Sequence, residues 1–124
     1  MLPEIISKEP LGPSVGRGDE QWLMIVKWVH FALINAEELG ITQGNVEQMG
    51  RSARPEIRRF LGNDGDLGRD LGLDADFAAK VVRAVGNYGE LFERHLGQKS
   101  PLRLERRLNN LSSNGGLQYA PSFR

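Results

Sequence analysis

Between Asp19 and Gly40 lies a stretch that is apolar on almost every face of a helix, and it constrains this chain more than any other feature. Asp19 is a good N-cap, and Glu20 and Gln21 place acidic and polar side chains in the first turn. Trp22, Ile25, Val26, Val29, Leu33 and Ala36, with Leu39 on the flank, give the i, i+3, i+4, i+7 stripe of an amphipathic helix, which Gly40 ends. Met24, Trp28, Phe31, Ala32 and Ile34 widen the stripe nearly all the way round. Such a helix is expected to be buried on more than one side. It asks for more partner surface than the rest of a small chain readily supplies. Lys27, His30, Asn35, Glu37 and Glu38 interrupt it, so it is not the run of about 20 predominantly apolar residues that crosses a membrane.

The 124 residues amount to about one domain, with 40% hydrophobic and 26% charged residues, as in ordinary globular proteins. Formal net charge is zero, so no overall field draws the chain to nucleic acid or to an anionic membrane. The absence of Cys excludes disulfides, Cys-based zinc sites and a thiol nucleophile, and leaves the redox compartment open. Met1-Leu2-Pro3-Glu4 has neither the basic nor the apolar region of a signal peptide, so the chain as written is expected in the cytoplasm.

Residues 1–18 hold Pro3, Pro10 and Pro13 with Gly12, Gly16 and Gly18, and read as an extended arm that needs a neighbour to pair with. Residues 19–124 read as a helical segment. After the long helix, Thr42 opens a second running to Gly50 or Arg51, and Pro55 starts a third through Ile57, Phe60 and Leu61 to Gly62. A Gly/Asp-rich loop fills 62–72. Asp74 is expected to cap a helix with Phe77, Val81, Val82 and Val85 on one face, stopped by Gly86. Asn87 caps the next, with Tyr88, Leu91, Phe92 and Leu96, stopped by Gly97. Ser100-Pro101 is expected to begin a last helix over Leu102–Leu111, broken by Asn114-Gly115-Gly116. The expected fold is mainly α: about six short helices behind an extended N-terminal arm.

No motif carries catalysis. Gly16-Arg17-Gly18 lacks the third glycine of a dinucleotide fingerprint, which falls at Gln21. A calcium loop from Asp64 has the oxygen ligand it needs at Asp66, but Gly68, Arg69 and Ala75 are the wrong residues for its other positions. His30 and His95 lie on different helices, so His95 reads as a helix C-terminal charge and His30 as a satisfied, half-buried residue. The arginine clusters Arg51, Arg54, Arg58, Arg59 and Arg103, Arg106, Arg107 could touch DNA, but the interleaved Glu47, Glu56 and Glu105 favour solvated helix faces.

Order along the chain says more. Ile6-Ser7-Lys8-Glu9-Pro10-Leu11-Gly12-Pro13-Ser14-Val15, then Gly18-Asp19-Glu20-Gln21-Trp22, then Lys27-Trp28 and Phe31 to Thr42 come in sequence. Val85 to Arg94 and Gly115-Gly116-Leu117-Gln118-Tyr119-Ala120-Pro121 follow. This series resembles the C-terminal segment of periplasmic substrate-binding proteins for general L-amino acids (solute-binding protein family 3 of ABC transporters), and it covers essentially the whole chain. The resemblance implies part of lobe one of a two-lobed α/β type II periplasmic-binding fold, and a periplasmic location. It implies an L-amino acid and an ABC permease as partners of an intact family member, with no cofactor and no enzymatic activity. Lys8, Glu9, Pro10 and Leu11 correspond to a hinge-side crossover, a structural role. The resemblance transfers no ligand-binding, catalytic or metal-binding residue to this chain, so the segment alone is expected not to bind an amino acid. Two departures are Ser14 to Arg17, where a longer-side-chained run is expected, and Ser112, where the group tends to carry tryptophan. Loss of a buried aromatic would loosen the last helix by about 3–5 kcal/mol. The alternative is a small helical interaction module that forms a homo-oligomer or docks a partner through the apolar face of Trp22 to Leu39.

Overall fold

The computed structural model describes residues 11–123. Residues 11–16 form neither helix nor strand, and a turn at Arg17-Gly18 leads into the first helix. Five α-helices follow: α1 (Glu20–Glu38), α2 (Val46–Met49), α3 (Pro55–Phe60), α4 (Phe77–Val85) and α5 (Tyr88–His95). Short 3₁₀ turns occupy Arg69–Leu71, Arg107–Asn109 and Ser112–Asn114, and a single parallel bridge joins Leu111 to Gln118. The mainly helical expectation holds, and no strand longer than that bridge occurs among the described residues.

Helix α1 begins where its cap dictates: the Asp19 carboxylate accepts from the Trp22 amide at 2.9 Å. It ends in a Schellman arrangement. Gly40, at φ +70°, donates to Glu37 O at 3.0 Å, while Ile41 donates to Ala36 O at 2.7 Å. Ile41 and Ala36 are both buried, the apolar contact that usually accompanies this motif. Thr42 and Asn45 then exchange backbone-to-side-chain hydrogen bonds at 2.7 and 3.2 Å, closing a turn that leads into the short α2.

The main core gathers Ala32 and Ala36 of α1 with Ile41, Val46, Ile57, Phe60, Leu61, Leu71, Phe77, Ala78, Ala79, Val82 and the near-terminal Phe123. Ile25, Trp28, Phe31 and Leu39 pack against it. A second, smaller cluster joins Ile34 to Leu111 and Ala120, with Phe31 and Tyr88 alongside. Helix α1 is thus covered on two sides, as its composition requires.

Several expectations need correcting. Thr42 does not open the second helix, because it and Asn45 bond into a turn and Asn45 becomes the N-cap of α2. The core-facing side of α1 runs through Ile25, Trp28, Ala32, Ala36 and Leu39, and Val26, Val29 and Leu33 of the expected stripe join neither buried cluster. With apolar residues all round, periodicity identifies the helix but not the side that is buried. Asp74 does not cap α4: the N-cap position falls to Asp76, whose side chain makes no capping bond, and the carboxylates of both aspartates pair with Lys80 Nζ. The buried residues of α4 are Phe77, Ala78, Ala79 and Val82, while Val81 and Val85 lie at its edge. The last expected helix does not form. The Ser100 hydroxyl accepts from the Leu102 amide at 3.1 Å and donates to Gly97 O at 2.9 Å, and the Leu104 amide turns back to Leu96 O at 2.9 Å. Side-chain and backbone bonds of this kind compete with the helical ladder. Leu102, Leu104 and Leu108 remain exposed, so no surface faces their helical spacing. Ser112 is exposed as well, and its identity leaves no hole in the core.

Candidate functional site

Of the hinge-side residues, Lys8, Glu9 and Pro10 lie outside the described residues. Leu11 is 95% exposed, and residues 11–16 make no backbone hydrogen bond among the described residues. Val15 and Gly16 of this segment line a shallow groove with Asp19, Glu20 and Leu23 at the start of α1.

The arm runs into the exposed end of α1. Trp22, Leu23 and Met24 are 52%, 42% and 40% exposed, large apolar side chains in the first turn. Met24 borders a cleft of about 740 Å³. Met24, Trp28, Leu67, Leu71, Phe77 and Phe123 form its apolar lining, with Glu20, Asp66 and Asp70 at its polar parts. Its floor is an aromatic cluster: Trp28 meets Phe31 and Phe123 edge-on at 5.6 and 5.4 Å, and Phe123 also contacts Phe60 and Phe77 at 5.3 and 6.1 Å. Gln21 reaches across from α1 to donate to Leu71 O at 3.4 Å.

The other end of α1 is closed by polar bonds. Arg106 grips the Glu37 carboxylate with both terminal nitrogens, Nη2 to Oε2 at 3.1 Å and Nη1 to Oε1, and Nη2 also donates to Asn109 O at 3.0 Å. The two side chains are only 14% and 16% exposed, and the guanidinium lies over the Tyr88 and Phe92 rings at 5.4 and 5.8 Å. Asn87 and Glu90 form a full capping box on α5, and Asn87 Nδ2 donates onward to Ile41 O at 2.9 Å. Asn35, buried on α1, donates to Pro121 O at 2.9 Å and fastens the tail. Midway, His30 is half-buried beside Phe31 and Tyr88, and burial pushes its imidazole below the ordinary range. Burial, and then the neighbouring Glu37, pushes the Glu38 carboxyl up.

The loop acids have local partners: Asp64 with Arg58 at 2.7 Å, Asp66 with Arg69 at 2.6 Å, and Asp74 and Asp76 with Lys80. Among the described residues no group of three or more His, Asp or Glu side chains is placed to hold a metal. Arginines of both clusters pair with acids, Arg54 with Glu56, Arg58 with Asp64, Arg106 with Glu37 and Arg107 with Glu105. His95 ends α5, where Arg94 Nε donates to its ring at 3.3 Å. Sequence reasoning missed the Arg106 clamp and the Phe123 anchor, because neither has a local signal: the clamp joins residues 69 positions apart.

No family model matches the chain. Its whole length is 60% identical to the general L-amino acid-binding periplasmic protein AapJ of Rhizobium johnstonii. It is 53% identical to the putative amino-acid ABC transporter-binding protein YhdW of Escherichia coli, and 54% to the glutamate/glutamine/aspartate/asparagine-binding protein BztA of Rhodobacter capsulatus. The chain spans 37% of the length of each of these relatives. It also superposes on a solved ABC transporter periplasmic binding protein from Brucella ovis with glutathione bound. There the TM-score is 0.93 and the identity 54%, over 99% of this chain and 39% of that one.

Proposed function

Starting from a chain that corresponds throughout to one segment of the amino-acid-binding periplasmic proteins of ABC transporters, we propose that it is the C-terminal part of lobe one of such a protein. Its role there is to support the fold that closes on an L-amino acid and presents it to a membrane permease, in the periplasm. The ligand-clamping groups belong to the part of the fold that this segment does not span, so the 124 residues alone do not hold an amino acid. Residues 1–18 serve as the hinge-side arm, and 19–124 as the helical body. One observation carries the reading: identity of 53% or more to several named amino-acid-binding proteins runs the full length of the chain, at a fixed fraction of theirs. The internal chemistry agrees. Fixed polar bonds serve to hold helices, and the described side chains assemble no convergent set of donors and acceptors around a small zwitterion.

The test is a chimera in which this chain replaces the matched segment of AapJ. It is expected to bind L-amino acids with micromolar or better affinity by titration calorimetry, while the isolated chain gives no heat with the same panel or with glutathione. A folded chimera that binds nothing, or micromolar binding by the isolated chain, overturns the reading.

A further inference from the structure

The Gly/Asp-rich loop over 62–72 has no part in the function proposed above, yet it is held in a fixed shape. Gly62 lies at φ +79°, and a Cβ there would meet Ala75 O at 2.5 Å. A Cβ on Gly68 would run into the carbonyl oxygens of Leu73 and Asp74. Gly68 O accepts from the Leu71 and Leu73 amides at 3.0 and 2.9 Å. Glycine at these two positions lets the loop fold closely onto residues 73–76. That fit sets Asp66, Leu67, Asp70 and Leu71 as one wall of the cleft, with the first turns of α1 as another.

The lining of this cleft is chemically one-sided. It holds the carboxylates of Glu20, Asp66 and Asp70 and no Lys, Arg or His. Arg69 pairs with Asp66 at 2.6 Å, whereas Glu20 and Asp70 enter no ion pair among the described residues. The apolar part carries the Trp28, Phe77 and Phe123 rings and the Met24 thioether, and aromatic rings attract cations as carboxylates do. The positive end of the α1 dipole opposes a cation, but the Asp19 carboxylate already meets it through the Trp22 amide at 2.9 Å. An anion finds only repulsion here. A free amino acid finds no donor for its carboxylate, because the Gln21 amide donates to Leu71 O. A neutral apolar molecule gains nothing from Glu20 and Asp70. The volume, about 740 Å³, is that of a small-molecule site. We infer that the cleft binds a small organic cation, an ammonium group on an aryl or alkyl body. The body lies against Trp28 and Met24, and the charge is met by the Glu20 and Asp70 carboxylates.

The experiment titrates phenylbutylammonium into the full 124-residue chain carrying Trp22→Phe, which leaves Trp28 as the only tryptophan. A saturable change in Trp28 emission is expected, with affinity about tenfold higher than for phenylbutanol, which has the same body without the charge. Phenylpentanoate, with the opposite charge, is expected to give no saturable change. Glu20→Gln with Asp70→Asn should lower the ammonium affinity to that of the alcohol. Both side chains are exposed, so thermal unfolding should stay unchanged. Equal affinity for ammonium and alcohol, an ammonium affinity unmoved by the double substitution, or no saturable signal each overturns the inference. The AapJ chimera should bind the ammonium as tightly as the isolated chain does, by titration calorimetry. A chimera that takes L-amino acids but not the ammonium has the cleft covered, which removes this site and leaves the proposed function standing. A folded chimera that takes the ammonium and no L-amino acid does the reverse.

Discussion

The two ends of α1 are built from similar residues and meet opposite fates. In the C-terminal half, Ala32, Ile34 and Ala36 are buried, the helix stop is locked by a Schellman motif, and Arg106, Asn35 and Asn87 tie three further segments to it. In the N-terminal half, Trp22, Leu23 and Met24 are exposed, and Met24 borders an open cleft. Hydrophobicity is as high at the bare end as at the covered one. What differs is the chain opposite: the polar ties to Arg106, Pro121 and Asn87 close one end, while Asp66, Leu67, the Arg69–Leu71 turn, Phe77 and Phe123 meet the other across an open cleft. Burial is decided by the partner that an apolar face finds.

The largest expected effect sets the halves against each other directly. Ile34 is 1% exposed between Leu111, Ala120 and Tyr88, so Ile34→Ala should cost about 2–5 kcal/mol in urea unfolding. Leu23→Ala, the same kind of truncation 11 residues earlier, should stay within about 0.5 kcal/mol. Equal losses at the two positions would break the comparison, because they would mean that the outer turns are already packed.

Next comes the clamp. Removing one partner of a largely buried ion pair leaves the other charge unpaired, so Glu37→Ala should destabilise by about 3 kcal/mol. The double variant Glu37→Leu with Arg106→Met, which removes both charges and keeps apolar volume under Tyr88 and Phe92, should recover most of that loss. If the double variant is as unstable as the single one, packing rather than charge pairing holds this end.

The covered end also carries the strained backbone. Arg103 and Arg107 sit at φ +48° and +43°, a region that costs a residue with a Cβ about 1–2 kcal/mol. Glycine relieves that cost but loses about 0.5–1 kcal/mol through the freer unfolded chain. Arg107→Gly should therefore stabilise by about 0.5–1 kcal/mol, since its pair with Glu105 is exposed and worth little. A loss of stability on this substitution would assign the arginine a packing role in the loop.

The elements most legible in the sequence were those with a local chemical signal. Asp19, Pro55, Asn87 and the stops at Gly40 and Gly86 mark helix ends by side-chain and backbone chemistry within four residues, and each sits at a real boundary, whereas Thr42 bonds into a turn and leaves the N-cap of α2 to Asn45. Asp74 carries the same signal as Asp19, but the helix starts two residues later, behind Asp76, and both carboxylates pair with Lys80 instead of capping. The expected helix over 102–111 failed for a related reason: Leu104, Leu108 and Leu111 are spaced for a helix face, and only Leu111 finds a core. The need of α1 for extra partner surface was legible. Which side would stay bare was not, because that depends on where α4, α5 and Phe123 settle.

The smallest effect probes the seam between the halves. His30 lies midway along α1, half-buried against Phe31 and Tyr88, and burial holds its imidazole below the ordinary histidine range. The unfolded chain then binds the proton more readily than the folded one, so His30 contributes stability that is complete above about pH 6.5 and fades as pH falls through its lowered folded value. Glu38 acts in the opposite sense. Its raised carboxyl contributes stability below its unfolded value that is lost as pH rises through the folded one, so the two partly cancel in the raw profile. Subtraction separates them. The difference between the unfolding free energies of the native chain and a His30→Gln variant should rise shallowly from pH 5 to pH 7 and then level off. In a Glu38→Gln background that rise should persist unchanged. A flat difference curve would mean that His30 is as well solvated as a surface histidine, and that the open half of α1 extends further along the helix than the packing indicates.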